Sequence, residues 1–496
     1  MIEDATTSKP IFLTREIRKI EAKFLPVQRL MEAAGLASAE LARELLGASG
    51  TRILVVAGPG NNGGDALVLA RHLKQWWFKV DVVFTGDAKK LPRDAGRALR
   101  LWRQAGGDLI SKIPAGQWDL VVDGLFGIGL KRPLEGRYAQ LVDQINQFQV
   151  PVLSLDVPSG LDAETGCKLG SAVRATHTIT FIALKPGLLT GHGVDCCGKV
   201  YLRNLDIDAA AILPPKGWLL SSANRPRLRP RVASSHKGMF GNAGIIGGAA
   251  GMVGAALLAG RAALKLGAGR TYVALLAADA PLVDPVQPEL MLRMPNKLLE
   301  LDHLNCIAVG PGLGQSSDAQ RFIAAALDTH LPLVLDADAL NLIGSIGRLQ
   351  QLLKKRSAPT ILTPHPAEAG RLLKSNTEQI QRDRLSAALE IAQRFRCHVV
   401  LKGAGSICAL PNGNWYINST GNPGMASAGM GDVLTGIIVA LIAQGLSGSD
   451  AMLLAVFLHG AAADKLVEVG VGPVGLTATE VTEAARNLLN QPIDNW

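Results

Sequence analysis

Short apolar runs alternate with helical patterns along almost the whole chain, and this alternation limits the fold more than any other feature. In the first half the runs fall at 53–57, 80–84, 120–122, 152–155 and 178–182. In the second they fall at 243–246, 272–275, 307–309, 333–335, 360–362 and 399–401. Strand-length runs with little polar alternation belong to sheets covered on both faces, and the helical stretches between them supply the covers. The pattern therefore predicts an α/β fold with parallel sheets. Hydrophobic periodicity is lost between Ala211 and Lys237, where Pro214, Pro215, Pro226 and Pro230 mix with Arg225, Arg227, Arg229 and Arg231. At 496 residues the chain exceeds what one core serves, so this break reads as the boundary between two domains. No motif or period recurs between the halves, and duplication is not indicated.

Composition narrows the function classes. A 48% hydrophobic but 4% aromatic chain with 54 glycines suits sheets of Val, Ile, Leu and Ala joined by tight turns. The net charge is +9, yet only 19% of residues are charged and no basic run interleaves with aromatics, so no nucleic-acid partner is expected. The basic bias suits phosphorylated small molecules, although a solvated surface explains any single Lys or Arg as well. Six cysteines include no C-x-x-C, only the adjacent Cys196 and Cys197, which favours neither zinc nor a disulfide framework and points to a reducing compartment. Residues 1–10 lack the apolar core of a secretory signal, and the uncharged stretch 243–260 is glycine-rich and reads as strand, turn and helix. A cytoplasmic protein with no membrane partner is expected. Leu30, Ala33, Ala34, Ala37, Leu41 and Leu45 repeat at helical spacing and predict a helix before the first sheet.

Gly58-Pro59-Gly60-Asn61-Asn62-Gly63-Gly64-Asp65 follows a predicted strand and formally satisfies G-x-G-x-x-G. A pyrophosphate needs bare N–H groups at a helix start, however, and Asp65 would set a negative charge there, which disfavours standard dinucleotide binding. A carboxamide oxygen of Asn61 or Asn62, with Asp123 and Ser159, would instead form an oxygen cage for a hard cation. Each loop alone is better explained as a turn. Three of them, at 58–65, 123–133 and 156–160, share the edge formed by the carboxyl ends of the strands, and together they favour a site.

These loops, with Pro26-x-x-x-Leu30-Met31-Glu32-x-Ala34-Gly35, Asp123-Gly124-Leu125-Phe126-Gly127 and Asp156-Val157-Pro158-Ser159-Gly160, resemble the NAD(P)H-hydrate epimerase family over residues 9–213. The resemblance implies a Rossmann-like three-layer domain. It further implies that Asn61, Asn62, Gly63, Gly64 and Asp65, then Gly127, Ile128, Gly129, Leu130, Lys131, Arg132 and Pro133, and Asp156, bind the hydrated nucleotide. Asn62, Asp123 and Ser159 would hold potassium. Ala66 stands where many relatives have glycine. Epimerisation at C6 of the ring requires the hydroxyl to leave and return, hence an acid and a base; Asp156 is the candidate, and Lys131 a weaker assistant.

The most informative segment is 422–436, a glycine-rich loop expected to run into an apolar helix near 436–443. Successive N–H groups of Gly429, Met430 and Gly431 would form an anion hole for a transferring phosphoryl group, with Asp432 placed to take a proton from the attacking hydroxyl. An ordinary helix cap explains Asp432 alone equally well. The G-x-G-D arrangement resembles the ribokinase-like superfamily, whose catalytic base is this aspartate. His236-Lys237-Gly238, residues 247–255, Gly310-Pro311-Gly312-Leu313-Gly314, Asp336-Ala337-Asp338-Ala339-Leu340, Thr363-Pro364-His365-Pro366-Ala367-Glu368 and residues 402–406 resemble, within it, the NAD(P)H-hydrate dehydratase family over 223–492. By that resemblance Lys402, Gly403, Ala404, Gly405, Ser406 and Gly431 bind the adenine nucleotide, and Ala255, Gly312, His365 and Asp432 contact the hydrate. Ala249 replaces a common serine. The resemblance implies ADP as phosphoryl donor and hydrated NADH and NADPH as substrates; magnesium and a homo-oligomer are also expected. A ribokinase-fold kinase, a dehydrogenase and an interaction scaffold are the competing readings.

Overall fold

The structure, a computed structural model, describes residues 2, 8–24, 30–47 and 49–491. Pro26 of the first motif, residue 492 at the expected domain end and most of the polar N-terminus lie outside them. The chain divides between Trp218 and Leu219 into two compact units.

The first unit holds six parallel strands: β1 (Arg52–Ala57), β2 (Lys79–Phe84), β3 (Leu120–Gly124), β4 (Val152–Leu155), β5 (His177–Phe181) and β6 (Lys199–Arg203), in the order β2-β1-β3-β4-β5-β6. Ile53 through Ala57 are fully buried, as an unbroken apolar run in a doubly covered sheet requires. The helix predicted from Leu30 spans Leu30–Leu46, and a helix at Thr14–Phe24 precedes it. β6 escaped sequence reading because Lys199 and Arg203 bracket its apolar residues at the sheet edge.

From residue 242 onward the described residues of the second unit hold nine strands: β7 (Asn242–Gly247), β8 (Arg270–Leu275), β9 (Met291–Arg293), β10 (Cys306–Val309), β11 (Leu333–Leu335), β12 (Thr360–Leu362), β13 (His398–Leu401), β14 (Ile407–Ala409) and β15 (Trp415–Asn418). Their order is β15-β14-β13-β12-β11-β10-β7-β8-β9, parallel from β13 to β9 and antiparallel through β14 and β15. The α/β reading holds for both units. The proline-rich break holds the strand Gly217–Leu220 and the end of the helix Ala209–Ile212. One expectation needs correction. The helix placed near 436 begins at Met430, so the Gly-rich segment supplies its first turn. Gly436 sits mid-helix for packing: a Cβ there would lie 2.2 Å from the Ala259 carbonyl oxygen, so only glycine lets the helices Val253–Lys265 and Met430–Ala443 approach this closely.

Candidate active sites

In the first unit the carboxyl ends of β1, β3, β4 and β5 gather the site, as open parallel sheets arrange ligands. The turn after β1 depends on two glycines. A Cβ on Gly58 would lie 1.9 Å from the Leu125 carbonyl oxygen, and one on Gly63 at the same distance from the Gly58 oxygen. This packing starts the helix Asn61–Gln75 directly over the strand ends and buries Asn62 and Gly64, with Asn61 exposed and Asp65 half-buried.

Asp123, at the end of β3, is fully buried. Its Oδ1 accepts from Ser159 Oγ at 2.6 Å, and its Oδ2 accepts from Ser159 N and Ser154 Oγ, each at 2.8 Å. Burial pushes its carboxyl up, partly offset by these donors. Asn62 is buried with neither amide atom hydrogen-bonded to the protein. A buried amide without protein partners is costly, and an amide oxygen, a carboxylate and a hydroxyl are oxygen donors of the kind a hard monovalent cation takes, so the chemistry of Asn62, Asp123 and Ser159 fits potassium.

Asp156 follows β4 with φ 64, a left-handed conformation unusual for an aspartate. Its Oδ2 accepts from Ile128 N at 3.1 Å and its Oδ1 is 2.7 Å from the Lys185 ammonium. Gly127 is the hinge of this contact: a Cβ would lie 2.7 Å from Asp156 Oδ2 and 3.3 Å from Asn62 Oδ1. Asn62, Gly127, Ile128 and Asp156 are thus brought together. Burial, then the charges of Asp156 and Glu21, push Asp65 well above the usual carboxylate range, and Glu21 is raised by burial and by Asp156. Gly129, Lys131, Arg132 and Pro133 are exposed; Ile128, Leu130 and Lys131 line a cavity of about 240 Å³ with Arg15 and Arg18. Lys185, Glu21, Arg15 and Arg18 were missed in the sequence.

In the second unit Gly429, at φ 85, caps the helix Met430–Ala443 without a side-chain bond. Asp432 is the third residue of that helix and not its cap, so capping does not explain it, although a carboxylate in the first turn also suits the helix dipole. Around it lie Asp336 after β11, Glu368, Asp338 and Lys402 after β13. Lys402 Nζ is 2.7 Å from Asp336 Oδ1 and 3.9 Å from Glu368 Oε2, and Thr435 Oγ1 donates to Asp336 Oδ2 at 2.8 Å. Burial first, then Asp336, raises Asp432 to about 7, against the opposing pull of Lys402. Burial likewise raises Glu368 to about 7. A Cβ on Gly431 would come 3.2 Å from Lys402 Nζ, so the glycine lets the ammonium reach the helix start.

His365 caps the helix Pro366–Leu373: its Nδ1 accepts from Ala367 N and Glu368 N, and Glu368 Oε2 accepts from His365 N at 2.8 Å. Burial and the charge of Lys402 lower its pKa, so the ring faces the cluster neutral near pH 7. Gly312, at φ 56, meets Ala255: a Cβ there would lie 3.1 Å from Ala255 Cβ. In the loop after Lys402, Gly403 and Ala404 are exposed, and Ser406 Oγ donates to Gly403 O across Gly405. Asp336, Glu368 and Thr435 stood in quoted motifs or beside Asp432, but their convergence on Lys402 was not read. Strand-end position was the available signal.

Fold and sites define an α/β protein of two units, each with its own carboxylate-centred site at its strand ends. The family model for the YjeF-related protein N-terminus matches residues 27–187, and that for NAD(P)H-hydrate dehydratase matches residues 243–486. The bifunctional NAD(P)H-hydrate repair enzyme of Escherichia coli (strain K12) is 37% identical over 485 residues, 95% of this chain and 91% of that one. That of Thermofilum pendens is 38% identical over 475 residues, covering 90% and 89%. Among solved structures, the ADP/ATP-dependent NAD(P)H-hydrate dehydratase of Bacillus subtilis, co-crystallised with ATP and Mg2+, is 33% identical with a TM-score of 0.49, covering 54% of this chain and 96% of that one. The chain belongs to the bifunctional NAD(P)H-hydrate repair enzyme family. No helix among the described residues is long and apolar enough to cross a membrane.

Proposed function

We propose that the chain restores hydrated NADH and NADPH, the first unit interconverting the C6 epimers and the second removing water from the S hydrate at the expense of ADP, giving AMP and phosphate. The observation that carries this reading is Asp432: an unengaged carboxylate raised to about 7 in the first turn of a glycine-capped helix. There it takes the proton of the C6 hydroxyl as that oxygen bonds to the terminal phosphorus of ADP and AMP departs. Phosphate then leaves C6 as the ring nitrogen pair forms C=N, and loss of a C5 proton restores the dihydropyridine. The N–H groups opening the helix at Gly429, Met430 and Gly431 hold the transferring group, residues 402–406 the nucleotide, and Ala255, Gly312 and His365 the hydrate. Magnesium would accompany the nucleotide.

In the first unit Asp65 carries the proton that lets the hydroxyl leave as water, and Asp156 takes one back as water adds to the other face. Asn61, Asn62, Gly63 and Gly64, with the segment 127–133, would hold the nucleotide, and Arg15, Arg18 and Lys131 suit its phosphates. Potassium held by Asn62, Asp123 and Ser159 would supply a fixed positive charge and order these loops. Residues 9–213 and 223–492 would be separate domains, so fragments divided within the Pro/Arg segment, beyond the strand Gly217–Leu220, should fold separately, the first equilibrating epimers without nucleotide; aggregation of both fragments, or loss of all activity on splitting, would count against this. No disulfide joins cysteines among the described residues, which suits a cytoplasmic setting, and Leu282, Val283 and Val286, exposed on the second unit, suit a homo-oligomer. The deciding experiment incubates the protein with hydrated NADH and either ADP or ATP. Recovery of dihydronicotinamide absorbance is expected; a stable phosphorylated product without recovery would mean a kinase instead.

A further inference from the structure

Lys185 is 1% exposed, an unusual place for an ammonium. Its Nζ donates to Asp156 Oδ1 at 2.7 Å, Thr180 Oγ1 at 2.7 Å and the Phe181 carbonyl at 3.0 Å, which engages all three of its N–H bonds. Asp156 is pinned from the other side as well, because its backbone N donates to Ile179 O at 2.7 Å while its φ is left-handed. Only Oδ2 is left toward the 127–133 segment, where it accepts from Ile128 N. Desolvating a lysine is expensive, and an apolar side chain would close the same space at less cost.

We propose that Lys185 is a positioning residue for the epimerase: it holds Asp156 Oδ1 so that Oδ2 alone faces the hydrated ring. This rests on the reading of Asp156 as the proton acceptor. The carboxylate stands near Asp65 and Glu21, two more acids, and the ammonium also keeps it from turning among them. A plain structural tie between β5 and the end of β4 would place the same atoms together, so the test must separate the two roles.

The full chain is assayed for R-to-S interconversion of hydrated NADH without nucleotide, in Lys185→Met, Asp156→Asn and the double variant. Lys185→Met should lower kcat about 10²-fold, the scale of a misplacement near 1 Å, with KM within twofold of wild type. In the Asp156→Asn background the same change should cost nothing further, because its target is already gone. Additive losses, a rise in KM at unchanged kcat, or wild-type turnover of Lys185→Met would overturn the proposal. Wild-type turnover of Asp156→Asn would overturn the reading of Asp156 itself. Should Lys185→Met fail to fold, Thr180→Val, which removes one acceptor of the ammonium at nearly constant shape, decides: a several-fold loss of kcat that vanishes in the Asp156→Asn background supports the proposal, and an additive or absent loss ends it.

Discussion

The two sites place a working carboxylate at a strand edge and treat it in opposite ways. In the first unit Asp156 is clamped by a buried ammonium and a backbone N–H. In the second, the ammonium of Lys402 goes to Asp336, and burial first, then the charge of Asp336, lifts Asp432 to about 7. A clamped carboxylate has a fixed direction, which suits a symmetric task on either face of a ring. A raised one is a stronger base at neutral pH, which suits removing a proton from a hydroxyl during phosphoryl transfer. The lysine is spent on orientation in one unit and on gathering acids in the other.

The largest effect expected of this contrast is in Asp432→Asn, which keeps size but cannot accept the proton. Dehydration should fall 10²–10⁴-fold, with ADP binding and epimerisation intact. The same variant should raise the Tm of the second unit at pH 8, because the fold opposes the charge it removes. Near-wild-type single-turnover dehydration with nucleotide affinity unchanged would move the base elsewhere.

Asp123→Ala comes next. It removes the anionic member of the proposed potassium cage, so epimerisation should drop about 10–100-fold while dehydration of the S hydrate persists. Indifference of both the variant and the wild type to potassium would dissolve the cage.

A smaller effect sharpens the contrast through pH. Because Asp432 must be ionised to act and sits at about 7, kcat/KM for dehydration should fall near tenfold per unit below pH 7 and level off above it. A flat profile from pH 5 to 8 would mean that the carboxylate cluster titrates outside that range.

The smallest expected effect is that of Gly436→Ala. The added methyl meets Ala259 O, so the variant should lose about 1–3 kcal/mol of stability and a few-fold in dehydration kcat, read by denaturant melts and turnover. An unchanged melt would show that the crossing can widen freely.

Both sheets were legible because a doubly covered parallel strand has to be apolar throughout, as 53–57 and 333–335 are. Loops at strand ends were legible for the same reason: once the strands are placed, Asn62, Asp123 and Asp156 fall on one edge. Lys185 was not legible. It lies one turn beyond an apolar strand, and its partner is 29 residues away, a pairing with no local period. The anion hole at Gly429–Gly431 implied a helix start there, but the apolar pattern alone placed the helix near 436, because glycines read as loop until Gly429 is seen to turn left-handed and stop the segment there. Lys402 was read as a nucleotide contact, and only the structure shows its ammonium engaged by Asp336.

The crossing at Gly436 and Ala259 acts as a fulcrum. Ala255 rides on one of the two helices and Asp432 on the other, each one turn from the point of contact. At a rise of 1.5 Å per residue, Asp432 stands about 6 Å along its lever, so a tilt of roughly 5° shifts it by about 0.5 Å, near the tolerance of a productive constellation. A methyl group too many at this joint is therefore felt one turn away along the arm, and alignment of hydrate and base is a matter of leverage as much as of chemistry.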